Sequence, residues 1–418
     1  MREMKDSGIE WVGTIPAHWS TMPNKYVMRK IKVINPTYNG ENILSLTVNG
    51  VIVRDLEAGG KMPSSFDGYQ ILYKGNLLMC LFDYDVTPRC IGLIKDSGVS
   101  SPAYSQFVLQ RGNDAAYFYY YYLMVDHTKA LLHRAKNLRH SFTEEQLGAI
   151  KVPVPPIAEQ ERIADFLDSQ CSEIDAISAD IQKEIETLEQ YKRSVITEAV
   201  TKGLNPDVEM KDSGIEWVGN IPVHWDVRPL YYYFAERKKK NYLGQEQNLL
   251  SLSYGKVIRK DINTSEGLLP DSFNGYNIIE PGDIVLRLTD LQNDKRSLRT
   301  GLVKEHGIIT SAYVTLKAAK EVVPEYFHYL LHAYDVMKVL YNMGNGVRQG
   351  LNYSELSKMH IVAPPLDEQK NIAARLDCVC KGIESIIASK KQQLAVIDFY
   401  KKSLIYEYVT GKKEVPNE

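Results

Sequence analysis

The chain has 418 residues, 44% hydrophobic and 24% charged, with 50 Lys+Arg against 52 Asp+Glu and a net charge of −2. That is the balance of a soluble globular protein of two or three domains. No run of 18 apolar residues is present to cross a membrane, and the N-terminus lacks the apolar core of a secretory leader. The five cysteines, Cys80, Cys90, Cys171, Cys378 and Cys380, are odd in number and form no C-x-x-C. Neither a disulfide framework nor a zinc site is expected, and a reducing cytoplasm is the natural setting.

Lys5 to Trp19 reads KDSGIEWVGTIPAHW. β-branched runs follow, Ile43–Val53 and Gln70–Leu81, broken by Asn-Gly and Gly-Gly turn signals. A polar loop, Phe82–Arg89, lies between apolar strands. A helix-like stretch runs from Tyr117 to Leu132, where the cluster Tyr119–Tyr122 is expected to pack in a core. A second polar segment, Lys136–Ser141, leads to Pro155-Pro156. Two prolines suit the approach to a helix or its first turn. No further proline occurs before Gly203, so a long helix is predicted over 156–201.

Then the chain repeats itself. Lys211 to Trp225 reads KDSGIEWVGNIPVHW, which differs from the first copy only at Thr14/Asn220 and Ala17/Val223. Ser65-Phe-Asp-Gly-Tyr69 returns as Ser272-Phe-Asn-Gly-Tyr276, the helix-like stretch as Tyr326–Leu340, and Pro155-Pro-Ile-Ala-Glu-Gln160 as Pro364-Pro-Leu-Asp-Glu-Gln369. The expected organisation is 1–154, a mixed α/β unit; 155–204, a helix; 205–363, a second α/β unit; and 364–418, a second helix. Leu167, Ile174, Ile181, Leu188 and Val195 form a heptad seam in the first helix. Leu376, Ile383, Lys390, Ile397 and Leu404 form the second, with Lys390 the one polar break and Ile387 and Leu394 beside it.

The charge is segregated. The first helix region, 159–203, has 11 acidic and 5 basic residues, and the second, 367–413, has 6 and 9. An acidic and a basic helix of equal length are natural partners. Each covers about 68 Å at roughly 1.5 Å per residue.

An enzyme reading, such as a DNA methyltransferase with fused recognition domains, lacks its motifs. No (Asn/Asp)-Pro-Pro-aromatic motif occurs, and the glycines at Gly344 and Gly346 are followed by Gln349 where G-x-G-x-x-G needs glycine. No G-K-[ST] phosphate loop is present. A coiled-coil scaffold would need only the helices, not the two α/β units.

The duplicated IEWVGxIPxHW, the duplicated PPxxEQ and the long helix after each resemble the specificity subunits of type I restriction-modification enzymes. The resemblance covers essentially the whole chain. It implies an α+β fold with two target recognition domains separated by a long antiparallel two-helix coiled coil, in an internal pseudo-two-fold repeat. Each domain would read one half of a bipartite site in double-stranded DNA. The implied partners are two modification subunits, which bind S-adenosylmethionine and methylate adenine, and restriction subunits in the full complex. No cofactor and no catalysis are expected on this chain itself.

What the copies share cannot tell two half-sites apart; what differs can. Trp11, Trp19, Trp217 and Trp225 are therefore expected as packing anchors, and His18 and His224 as structural histidines. Candidate DNA contacts are Tyr84, Thr87, Arg89 and His140 in the first unit and Gln292, Asn293, Lys295, Arg296, Arg299 and Gln349 in the second. Several of these are residue types that read base edges. Arg139 and Arg348 coincide between the copies, which suits a phosphate contact. The run Arg237-Lys-Lys-Lys240 has no counterpart in the first unit and is either a phosphate grip or a solvated face.

Overall fold

A computed structural model describes residues 2–57, 63–135, 140–262, 272–291, 298–343 and 350–416. The chain divides into two compact units, Met1–Ile181 with Lys391–Glu418, and Gln182–Lys390. Both divisions fall inside long helices, so each unit contains part of both.

In unit 1 the first motif forms a hairpin, Met4–Asp6 against Thr14–Pro16. Strand Ser20–Pro23 then pairs antiparallel with Lys151–Val154, and everything between them passes through this two-strand neck. Beyond it is a four-stranded antiparallel sheet in the order Met28–Ile31, Ser105–Leu109, Leu77–Met79, Ile91–Leu93. The predicted strand Gln70–Leu81 resolves into two, Gln70–Leu72 and Leu77–Met79, in different sheets. Gly75, at φ 86, turns the chain between them. Ile43–Val53 is a hairpin, Leu44–Thr47 with Gly50–Val53, reversed at Val48-Asn49.

Helix α1 (Ala115–His127) packs the tyrosine cluster inward, as its apolar character predicts: Tyr120, Tyr121 and Tyr122 are buried. Asp114 caps its start by accepting from the Tyr117 amide. It ends five residues before the predicted Leu132, because Lys129 turns left-handed at φ 47 while its ammonium binds Asp126 and the Thr87 carbonyl. Helix α2 (Glu144–Ala149) opens with a capping box of Thr143 and Gln146. Helix α3 (Ile157–Lys202) follows.

Unit 2 repeats the plan. Met210–Asp212 pairs with Asn220–Pro222, and Asp226–Pro229 with His360–Ala363. Its sheet runs Phe234–Glu236, Val314–Ala318, Ile284–Leu286, Thr300–Leu302. Hairpin Leu250–Ser253 with Lys256–Arg259 matches that of unit 1. Helices α4 (Pro324–Val336), α5 (Tyr353–Leu356) and α6 (Leu366–Val409) complete it. Here too the predicted helix Tyr326–Leu340 stops early, at a left-handed Lys338.

The long helices pair antiparallel within each unit. In unit 1 Phe166 meets Tyr408 at 4.5 Å and Asp175 meets Lys401 at 2.6 Å. In unit 2 Glu184 pairs with Lys390 and Lys192 with Glu384. The acidic and basic helices are thus matched as their charges predict, and Lys390, the break in the heptad, faces a carboxylate instead of the core. Leu167 and Ile174 join Leu404 and Val409 in the core of unit 1; Ile196 and Val200 join Ile372 and Leu376 in that of unit 2.

Candidate nucleic-acid interface

The two repeated motifs are built to meet. In unit 1 Trp19 is fully buried and donates its indole N–H to Glu159, which also receives His18 at 2.8 Å and Arg2 at 2.9 Å. Burial pushes the Glu159 carboxyl up, but the hydrogen bonds from His18 and Trp19 and the charge of Arg2 outweigh it and hold the pKa below the usual range. The next residue, Gln160, accepts from the Asp114 amide and donates to the Pro155 carbonyl. So Glu-Gln of the second motif binds His-Trp of the first and the start of α1. Unit 2 keeps His224 on Glu368 at 2.8 Å and Gln369 on the Val323 amide. It lacks the Arg2 equivalent, and the buried Trp225 indole N–H has no hydrogen-bond partner among the described residues. Trp19, Trp225, His18 and His224 are therefore frame, as expected, while Trp11 is partly buried with its indole N–H on the Tyr121 hydroxyl and Trp217, 36% exposed, meets Tyr334 edge-on.

The variable segments behave differently. In unit 1 the Cys80 amide donates to the Cys90 carbonyl at 2.9 Å and closes the neck of loop 81–89. The amides of Val86 and Thr87 both turn back to the Asp83 carbonyl. The described end of the second candidate segment, His140-Ser141, lies alongside: the Phe142 amide donates to the Leu81 carbonyl at 2.8 Å, the Tyr84 amide to the His140 carbonyl at 3.4 Å, and the His140 ring nitrogen Nδ1 is 3.1 Å from the Asp85 carboxylate. Unit 2 makes the same junction, with the Leu351 amide donating to the Leu288 carbonyl at 2.9 Å. In unit 1 loop 81–89 and residues 140–142, far apart in sequence, thus form one surface.

The predicted contacts fall into four groups. Tyr84 and Arg299 are buried. The Tyr84 ring packs edge-on against Phe142 at 5.4 Å, and burial pushes its hydroxyl pKa far up. The Arg299 guanidinium donates to the carbonyls of Arg287, Thr289 and Asp290 at 2.6–3.1 Å. Burial turns both from candidates for base contact into supports of their loops. Arg89 is partly buried; it donates to the Val48 carbonyl at the hairpin tip at 2.7 Å, to the Ile91 carbonyl and to the Tyr119 hydroxyl. Thr87 and His140 are half-exposed on the joined loops. Arg139, Gln292, Asn293, Lys295, Arg296, Arg348 and Gln349 lie outside the described residues.

Sequence reasoning missed one pair of supports. Asp126 accepts from the Cys90 amide and Asp335 from the Arg299 amide, at 2.9 and 3.0 Å, each buried at the end of its helix. The signal was present: an acid in both copies at the same repeat position, within an apolar stretch. The thiols of Cys80 and Cys90 have pKa values raised by burial, so they stay protonated at neutral pH. Among the described residues no group of His, Cys, Asp and Glu could hold a metal, and no helix is long and apolar enough to cross a membrane.

A family model, the type I restriction modification DNA specificity domain, matches the chain twice, at residues 65–187 and 294–396. The chain belongs to this family. Each match of the specificity domain starts within an α/β unit and runs into its long helix. The chain is 28% identical over 293 residues to a protein of Methanocaldococcus jannaschii named as the MjaX type I restriction enzyme specificity subunit, covering 69% of this chain and 64% of that one. It is 27% identical over 285 residues to the MjaVIII specificity subunit of the same organism, 64% and 63%. The chain therefore spans somewhat under two thirds of the length of these relatives. A solved chain from a study of complex assembly and conformational transition of the type I R-M system covers 96% of this chain, and 99% of its own length, at a TM-score of 0.68 and 13% identity. That likeness is one of fold.

Proposed function

We propose that this chain is the DNA-reading specificity subunit of a type I restriction-modification complex. Each unit would read one half of a bipartite site in double-stranded DNA and direct partner methyltransferase subunits to it. The observation that carries the reading is the contrast within each unit. Trp19, Trp225, His18 and His224, common to both copies, go into the frame, while in unit 1 the described parts of the two segments that differ, 81–89 and 140–141, are joined on one surface. Such a division lets one scaffold present two different sequence readers.

The helix pair offers a place for the partners. Ile177 and Tyr400 in unit 1 are 52% and 53% exposed; Ile386 and Tyr191 in unit 2 are 49% and 56% exposed. Ile177 and Ile386 occupy the same repeat position, as do Tyr191 and Tyr400. The ion pairs Asp175–Lys401 and Lys192–Glu384 put each Ile level with its Tyr. A repeated apolar pair suits two copies of one partner. S-adenosylmethionine would be bound by those partners, and restriction subunits would join the same assembly. The chain would not act as an enzyme by itself.

The test is direct. Purified alone with S-adenosylmethionine, the chain should leave DNA unmethylated. Co-expressed with its partner methyltransferase, it should produce N6-methyladenine at a two-part motif. Methylation by the isolated chain would instead revive the enzyme reading.

A further inference from the structure

The basic run that has no counterpart in unit 1 continues into a turn of unusual chemistry, Arg237-Lys-Lys-Lys-Asn-Tyr-Leu-Gly244. Its base is firmly held. Arg237 is ion-paired to the buried Asp283, the Ile278 amide donates to the Lys239 carbonyl at 2.7 Å, and Lys240 Nζ donates to the Gly275 carbonyl at 2.8 Å. Asn241 is 3% exposed: its amide donates to the Tyr276 carbonyl, its side-chain NH2 to the Glu246 carbonyl, and its Oδ1 accepts from the Glu246 amide. The Gly244 amide closes the turn onto the Asn241 carbonyl at 2.9 Å.

On this rigid turn Tyr242 and Leu243 stand out at 76% and 79% exposure, with the side chains of Lys238 and Lys239 exposed just before them. Of the nearby carboxylates, Glu236 is paired with Lys238 and Glu305 with Arg259, while Glu246 and Glu280 share His306 and keep one net negative charge between them. In unit 1 the equivalent turn begins in the same way, with the Asn35 amide on the Tyr69 carbonyl, but presents Pro36 and Thr37. At the four positions aligned with Arg237–Lys240 unit 1 has Ile31-Lys-Val-Ile34, with Lys32 the one cation, and Arg29 and Lys30 lie further back in the strand.

Two adjacent large apolar side chains held in water by a hydrogen-bonded turn forgo the stabilisation that burial would give. Lysines beside them select a polyanion, and an aromatic and an aliphatic tip fit between base steps. We propose that this turn is a DNA wedge: Lys238 and Lys239 grip the phosphodiester backbone while Tyr242 and Leu243 enter the minor groove and unstack a step, bending the duplex at the second unit only. The proposal rests on the DNA-reading function above.

The test uses the full chain and a mixed-sequence duplex labelled at both ends, with binding followed against salt and bending by energy transfer. Tyr242→Ser with Leu243→Ser should weaken binding about tenfold, abolish the bend and leave the log–log salt slope unchanged. Lys238→Ala with Lys239→Ala should lower that slope by up to about 2, at roughly 0.9 for each phosphate contact. All four side chains are exposed, so both variants should melt with the wild type. A serine variant that binds and bends like the wild type overturns the wedge and leaves the DNA reading standing. A wild-type chain that binds no duplex at low salt overturns both. Loss of binding to phosphatidylserine vesicles in the serine variant, with duplex binding intact, would assign the turn to a membrane surface instead.

Discussion

At the residue scale, Glu159 and Glu368 offer a paired measurement. Glu159 serves Trp19, His18 and Arg2, whereas Glu368 has His224 but no indole donor. Hydrogen bonds to a charged acceptor are each worth roughly 1.5–3 kcal/mol. Glu159→Gln should therefore destabilise the protein by about 2 kcal/mol, and Glu368→Gln by clearly less, in urea melts followed by tryptophan fluorescence. The Glu159 pKa is depressed in the folded state. Its contribution is thus full above the ordinary carboxylate range and is lost as pH falls through the depressed value. The difference between wild type and Glu159→Gln should shrink toward acid pH; a constant difference would show that the charge is not what matters.

His306 gives the opposite sign. It sits between Glu280 at 2.7 Å and Glu246 at 2.8 Å, and these raise its pKa. The stabilisation is fully present below the ordinary imidazole range and is lost as pH rises through the raised value. Since Glu246 also closes the Tyr242 turn, amide exchange at Asn241–Glu246, corrected for its intrinsic pH dependence, should accelerate across that window. His306→Gln should remove the pH dependence.

At the scale of elements, the end of α6 is fitted against the first motif. Gly411 has φ +67, and a Cβ there would lie 2.5 Å from Pro16 Cδ and 2.8 Å from Trp19 Cη2. Gly214 has nearly the same φ, +69, with nothing within 4 Å. The left-handed conformation alone costs about 1–2 kcal/mol for a residue with a Cβ, and overpacking adds about 1–3 more. Gly411→Ala should thus lower stability by about 3 kcal/mol and Gly214→Ala by about 1. Equal losses would mean that the helix end is not clamped by the motif.

The exposed helix positions make a prediction of their own. On the proposal that two methyltransferase copies bind the helix pair, Ile177→Glu with Tyr400→Glu should remove one copy from the co-purified complex, and Ile386→Glu with Tyr191→Glu the other. Each variant should leave a one-to-one assembly by light scattering, with the melting temperature of the chain unchanged. Loss of both copies from either variant would mean that the partners hold each other and not two separate sites.

For the whole molecule, the necks decide how the α/β units, the proposed readers, can be exchanged. Pro23 pairs with Lys151 in unit 1, and Pro229 with His360 in unit 2, so each reader enters and leaves through adjacent strands. Replacing residues 21–150 with the corresponding segment of a relative keeps Ser20, strand Lys151–Val154, the Glu159 clamp and both helices, and the incoming segment must supply the three residues that stand for Thr21–Pro23 in the neck. The methylated motif should change in one half only, as read by methylome sequencing. A change in both halves would show that the units do not read independently.

The sequence by itself determined the repeat, the mixed α/β character of each unit, the long helices and their charge match, because periodicity, proline placement and net charge are local or additive properties. It also separated the segments that the two copies share from those that differ, since the repeat aligns them residue by residue. Three things were decided only by tertiary structure. Lys129 and Lys338 end their helices early because their left-handed turns depend on packing, and at Lys129 on contacts to Asp126 and Thr87 as well. Tyr84 and Arg299 have the chemistry of base readers, yet packing takes one into the core and the carbonyls of a tight loop take the other. Finally, loops 81–89 and 140–142 become one surface through long-range backbone hydrogen bonds. No residue type announces such bonds, because every peptide unit carries the same donor and acceptor.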